Sequence, residues 1–238
     1  MPRLTSRCTS RPLAIAFVSF LVATACGAPP AAAPSPTSTV VPTASGSATP
    51  TPTAGVPSGG VRFIAQTASN ATVRVEEHLA VNLINTDAVL ATVAVTGTLT
   101  LNADGTFAPG SRIVVDMTKL HSDQSLRDTW IRLFGVETNK FKESVFMPER
   151  ATGLPAPLPQ SGSWTFSLDG TLTVHGTPKA VSWKATAKRD GRDLTGTATT
   201  TVRWGDFSLE RPQAAVTQVV SVSDDIRLEL VFVGKQSD

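Results

Sequence analysis

WTFSLDGTLTVHGTPKAVSWKATAK, running from Trp164 to Lys188, is the stretch that decides the fold. Phe166, Leu168, Leu172 and Val174 hold one parity straight through Asp169-Gly170. Val181, Trp183, Ala185 and Ala187 resume a period of two beyond the next turn. Such alternation marks strands with one apolar and one polar face, as antiparallel sheets have. An Asp-Gly pair is ordinarily a hairpin signal. Unbroken parity across this one predicts a bent, continuous strand instead.

The same pattern extends outward in both directions: Val73, Val75 and Leu79; Val93, Val95, Leu99 and Leu101; Ile113, Val115 and Met117; then Ala198, Val202 and Trp204; and finally Ile226, Leu228, Leu230 and Phe232. Asp104-Gly105 and Asp190-Gly191 read as hairpin turns between strands. Gly97, Gly170 and Gly196 all fall on the apolar parity of their strands. Glycine weakens a strand, so three in one phase predict sharp bends with no room for a side chain inside them. A sheet curling that way closes on itself. The expected fold is all-β, an extended antiparallel lipocalin-like β-barrel of about eight strands with one short amphipathic helix.

That helix is predicted in SDQSLRDTWIRLFG, Ser122 to Gly135. Leu126, Trp130, Leu133 and Phe134 stand at i, i+4, i+7 and i+8, while Asp128 and Arg132 form an i, i+4 pair on another face. Ser122 or Asp123 is expected to cap its start and Gly135 to end it in the left-handed conformation. Its apolar face is expected to cover the barrel mouth or wall.

The amino terminus has a different character. Arg3, Arg7 and Arg11 precede an apolar run from Leu13 to Ala25 that ends at Cys26. This is the layout of an export signal, and the run is short for a membrane span. Ala23, Thr24 and Ala25 fit both an ordinary cleavage site and a lipobox with Ala where Leu is usual, and both readings cut before Cys26. Residues 1–25 are therefore expected to be a signal peptide. Residues 26–60 are expected to be a lipidated Cys26 followed by a disordered stalk, because Gly27 to Gly60 carries no charge and is dominated by Pro, Ala, Ser and Thr. Extended at about 3.1 Å per residue, it reaches roughly 100 Å. Residues 61–238 form the folded barrel domain.

Cleavage removes three of the 21 basic residues and leaves 18 against 19 acids. The mature chain carries no basic excess, and no nucleic-acid partner is expected. Cys8 and Cys26 are the only cysteines, so the exported domain relies on its core and not on an internal disulfide.

Catalytic and metal signals are weak. His121, Ser122 and Asp123 are consecutive, whereas a triad needs side chains converging from separated positions. His78, His121 and His175 lack ligand spacing, and alternation splits Glu76, Glu77 and His78 between two faces. Phosphate loops and dinucleotide fingerprints are absent. Neither cofactor, metal nor enzymatic activity is expected. What remains is an inner apolar face rich in tryptophan, and periodicity does not tell a filled barrel from a hollow one.

Four segments carry a resemblance: SRIVVDMTKLHSDQSLRDTWIR from Ser111, GTLTVHGTPKAVSW from Gly170, GDFSLERP from Gly205 and DDIRLELVF from Asp224. In order and spacing they resemble the YceI-like family of polyisoprenoid-binding proteins across essentially all of Val61 to Phe232. The resemblance implies a barrel whose apolar tunnel holds a long isoprenoid chain in an exported protein, with no established catalysis. The chain departs from the family pattern at Lys142, where Pro often follows Phe, at Ser208, where Gly is common, and in a Pro-rich insert, GLPAPLPQSG, from Gly153 to Gly162.

Under that resemblance, Val95, Val115, Met117, Phe166, Leu168, Trp183, Trp204, Leu228 and Leu230 are expected to line the tunnel, with Trp130, Leu133 and Phe134 covering it. The expected function is binding of a long apolar lipid, a polyisoprenoid or isoprenoid quinone, for storage or transport in the cell envelope. The protein is expected on the extracytoplasmic face, held to the membrane by lipid on Cys26. The alternative is a ligand-free structural or interaction module on a membrane-anchored stalk.

Overall fold

The structure is a computed structural model that describes residues 59–79, 85–212 and 219–237. The expected signal peptide, Cys26 and nearly all of the stalk lie outside the described residues. Ten strand segments make one antiparallel sheet: β1 (Val61–Ala65), β2 (Asn70–Leu79), β3 (Asn85–Thr92), β4 (Val95–Leu101), β5 (Arg112–Asp116), β6 (Glu143–Thr152), β7 (Ser161–Val174), β8 (Thr177–Asp190), β9 (Asp193–Arg203) and β10 (Val219–Ser237). The order β1-β4-β5-β6-β7-β8-β9-β10 closes where β10 pairs with β1, giving an eight-stranded barrel. β2 and β3 pair with each other and continue the β1–β4 hairpin, with β2 running along the same side of β10 as β1. Closure gives each of the eight ring strands a partner on both sides.

β7 runs unbroken through Asp169-Gly170, as its parity requires. The turn falls at His175-Gly176, where φ is +51° and +71°, the two left-handed residues of a two-residue hairpin. Asp190-Gly191 also makes a hairpin. Asp104-Gly105 lies in a longer connection from β4 to β5, where Phe107 bridges back to Leu101 and Thr106 to Arg150. The three mid-strand glycines stand where neighbouring strands come closest. A Cβ on Gly97 would sit 2.2 Å from the Arg112 carbonyl oxygen, on Gly170 2.3 Å from that of Met147, and on Gly196 2.8 Å from that of Thr186. Opposite Gly170, β6 bulges between Pro148 and Arg150. Val93, assigned by alternation to the inner face, is 71% exposed, because the chain kinks between β3 and β4 there.

One end of the barrel is filled. Val61, Phe63, Leu101, Ala151, Leu168, Ala185, Ala198 and Phe232 are buried there, with Phe166, Leu154 and Leu158 packed against them. The last two come from the Pro-rich insert, which thus contributes to the core. Arg189 is 2% exposed, with its guanidinium 5.4 Å from the centre of the Phe63 ring. It donates to the carbonyls of Leu158, Pro159 and Gly191 and to the side chains of Gln160 and Gln236. Five acceptors offset the cost of burying the cation.

Candidate functional site

The other end is hollow. A cavity of about 130 Å³ is walled by Ala71, Val73 and Val75 of β2, Ile113 and Val115 of β5, Phe146 of β6, Leu172 and Val174 of β7, Trp183 of β8, Val202 of β9 and Ile226, Leu228 and Leu230 of β10. Leu90 of β3, Met117, Leu120, Trp204, Phe207 and Leu209 add to the wall, and its polar members are Thr72, Ser144 and Glu229. Ser144 Oγ donates to the Thr173 carbonyl, 3.1 Å.

Across the mouth runs α1 (Ser125–Trp130), continued by a π-turn, Ile131–Gly135. The continuation changes which face looks inward. In the wider turn the Val136 N–H reaches the Ile131 carbonyl, 2.9 Å, in place of an i→i+4 bond. Ile131, Gly135 and Val136 therefore meet the cavity. Leu133 and Phe134, expected with Trp130 to cover the tunnel, are turned to solvent at 45% and 69% exposure, as is Leu126 of the same apolar stripe at 73%. Trp130 is partly buried against Gly135, where a Cβ would come within 2.8 Å of the indole. Gly135 is thus required by ring packing and not by a left-handed end. The residue at positive φ is Glu137, at +50°.

The start of the helix also differs from expectation. The residue before it, Gln124, makes no side-chain cap. Asp128 turns back to accept from the Ser122 N–H and hydroxyl, while Arg132 reaches the Thr129 hydroxyl, so the expected Asp128–Arg132 pair is replaced. Arg127 reaches across the mouth to Glu77 Oε2, 3.0 Å, and to Asp123, 2.7 Å. Glu77 shares the inward parity of Val73 and Val75 and is buried, whereas Glu76 and His78 meet at Asn85 on the other face. At the far end of the segment Glu137 accepts from His175 Nε2, 3.0 Å, and pairs with Lys140. Lys140, and then His175, hold its carboxyl below the usual glutamate range. The Phe141 ring packs 4.2 Å from the His175 ring. The Arg127–Glu77 ion pair thus fastens one end of the cover, and the hydrogen bond between Glu137 and His175 the other.

Of the expected lining residues, Val115, Met117, Trp183, Trp204, Leu228 and Leu230 meet around the cavity. Val95, Leu168 and Phe166 are not in the cavity wall: Val95 and Leu168 are buried beside wall residues Val115 and Trp183, their register partners, and Phe166 is packed against the core. Parity assigns all of them to the inner face, but parity is blind to position along the barrel axis. His121, Ser122 and Asp123 do not converge: their partners are the Lys119 carbonyl, Asp128 and Arg127. Among the described residues no group of three His, Cys, Asp or Glu side chains is placed to hold a metal.

The sequence matches the YceI-like domain over residues 63–233. The chain belongs to the YceI-like family. Two UPF0312 proteins of Pseudomonas putida, from strains GB-1 and W619, are each 31% identical over 113 residues, covering 44% of this chain and 55% of theirs. The chain thus spans about half the length of the curated relatives it matches. Among solved structures, a polyisoprenoid-binding domain from Saccharophagus degradans superposes with a TM-score of 0.56 at 14% identity, over 74% of this chain and 98% of that one. BcnA of Burkholderia cenocepacia gives 0.54 at 14% identity, over 71% and 98%. At this identity the likeness is one of fold. This YceI-like barrel carries its open space at the mouth end.

Proposed function

We propose that the hollow end of this YceI-like barrel binds a long apolar lipid, a polyisoprenoid or an isoprenoid quinone, and stores or transports it in the cell envelope. The observation that carries the reading is an apolar cavity under a separately fastened cover, in a barrel whose other end is packed solid. The polyisoprenoid-binding relative supports it by likeness of fold. Burying ten to fifteen carbons at about 0.8 kcal/mol each supplies roughly 8 to 12 kcal/mol gross. Lost translational and chain freedom consumes a large share, which leaves micromolar or better binding.

The cavity of about 130 Å³ is comparable with engineered cavities of about 150 Å³ that admit a benzene ring. A chain of several isoprene units therefore enters by displacing the Ser125–Val136 cover or threading beneath it. The layout of residues 1–60 supports a place outside the cytoplasm, with lipid on Cys26 as the tether.

Two experiments test these parts separately. Titration with a long isoprenoid, followed by tryptophan emission, should report entry beside Trp183 and Trp204, and a folded Leu228→Asp variant should lose the response. Equal binding by both would overturn the cavity as the site. Cys26→Ser should move the protein from the membrane to the soluble fraction, and identical partitioning would overturn the tether.

A further inference from the structure

Among the described residues, half of the exposed large apolar side chains, Leu126, Leu133 and Phe134, stand on the short segment that crosses the mouth. The π-turn is what sets Leu133 and Phe134 outside, and such turns occur mostly at functional sites. Between residues 125 and 136 the other exposed side chains are Ser125 and Arg132. Arg132 reaches the Thr129 hydroxyl, 3.3 Å, and no carboxylate, because the segment's one acid, Asp128, is turned back to Ser122. The outer face of the cover is therefore apolar and carries one uncompensated cation.

A second copy of the chain fits this face poorly. Helix and π-turn together, Ser125 to Gly135, are about 16 Å long and about 10 Å wide, a face under about 200 Å² where a stable interface takes about 800 Å² from each partner. The same patch on both copies would also bring two Arg132 guanidinium groups together. A bilayer surface sets no such area threshold. It offers hydrocarbon to the apolar side chains and phosphate to the guanidinium.

We propose that the outer face of the cover docks on a phospholipid bilayer, with Leu126, Leu133 and Phe134 entering the headgroup boundary and Arg132 meeting lipid phosphate. The use of such a face rests on the lumen-binding reading above. Docking sets the mouth of the cavity against the membrane in which an apolar lipid resides, so cargo passes between bilayer and barrel without crossing water. The filled end then points away from the membrane.

The test uses the full chain carrying Cys26→Ser, so that no lipid tether contributes, with vesicles of phosphatidylcholine alone or mixed with phosphatidylglycerol and free of isoprenoid. The protein should float with the vesicles, and more of it with phosphatidylglycerol present. Leu133→Ser combined with Phe134→Ser, both at exposed positions, should weaken binding by about tenfold or more, and Arg132→Glu should remove the gain from phosphatidylglycerol. A second readout needs no change in the face: hydrogen exchange in residues 125–136 should slow on vesicles. Equal flotation of the double variant with unchanged exchange would overturn the docking face. A concentration-dependent dimer in sedimentation, lost in the double variant, would overturn it in favour of a second copy. Protein that takes up a long isoprenoid from solution but does not float would overturn docking alone, whereas flotation without isoprenoid uptake would overturn the lumen-binding reading alone.

Discussion

Ser208 shows how one side chain records a backbone constraint. It ends the 3-10 turn Trp204–Phe207 with φ at +56°, a left-handed conformation that costs a residue with a Cβ roughly 1 kcal/mol or more and glycine almost nothing. That is the physical reason for glycine at this place in the family pattern. The side chain is exposed, so little packing opposes a change. Ser208→Gly should stabilise the domain by about 0.5 to 1 kcal/mol, and Ser208→Val should destabilise it by more than about 1 kcal/mol, read from denaturant midpoints. Gly97 is the opposite case. With the Arg112 carbonyl oxygen 2.2 Å from where a Cβ would lie, and φ at +146°, Gly97→Ala has nowhere to put its methyl group. It should cost several kcal/mol or prevent folding, since backbone and not a flexible side chain must give way. Both constraints leave traces in sequence. Gly97 stands on apolar parity, and Ser208 stands where the family pattern has glycine.

At the scale of elements, the cover depends on its two fastenings. Arg127→Met removes the partner of Glu77, whose side chain is only 11% exposed, and should cost about 1 to 2 kcal/mol. Hydrogen exchange in residues 125–136 should rise, and isoprenoid uptake should quicken if the cover is the entry route. Unchanged exchange would show that Arg127 does not hold the segment. The second fastening responds to pH. Glu137 has its folded pKa lowered, first by Lys140 and then by His175, so its contribution is full above the ordinary glutamate pKa and lost as pH falls through the lowered value. Exchange near residues 136–141 should therefore increase as pH falls below the ordinary glutamate range. The helix was legible in its existence but not in its facing. Leu126, Trp130, Leu133 and Phe134 make a convincing α-helical stripe, yet the π-turn after Trp130 brings Ile131 and Val136 inward and leaves Leu133 and Phe134 outside. Nothing in the periodicity encodes that turn. The bulk of Trp130 over Gly135 is its nearest trace in the sequence.

Over the whole molecule, strand parity and the in-phase glycines carry the closed barrel. What they do not carry is the division into a filled and a hollow end, because Leu168 and Leu228 obey the same alternation. The division arises from partners distant in sequence: the insert that brings Leu154 and Leu158 to the core, and Arg189 over Phe63. It has an energetic signature. Leu168→Ala, in the filled end, should cost about 2 to 4 kcal/mol, whereas Leu228→Ala, at a half-buried position in the cavity wall, should cost less. Equal losses would mean that the two ends are packed alike.

Native mass spectrometry of the purified full chain, before and after organic extraction, tests most directly whether the hollow end holds a long apolar lipid. The expected result is a bound species heavier than the protein by the mass of one isoprenoid lipid, lost on extraction and regained when a long isoprenoid is added back to wild type but not to folded Leu228→Asp. A spectrum showing only bare protein at every stage, with no uptake of the added isoprenoid, would contradict it.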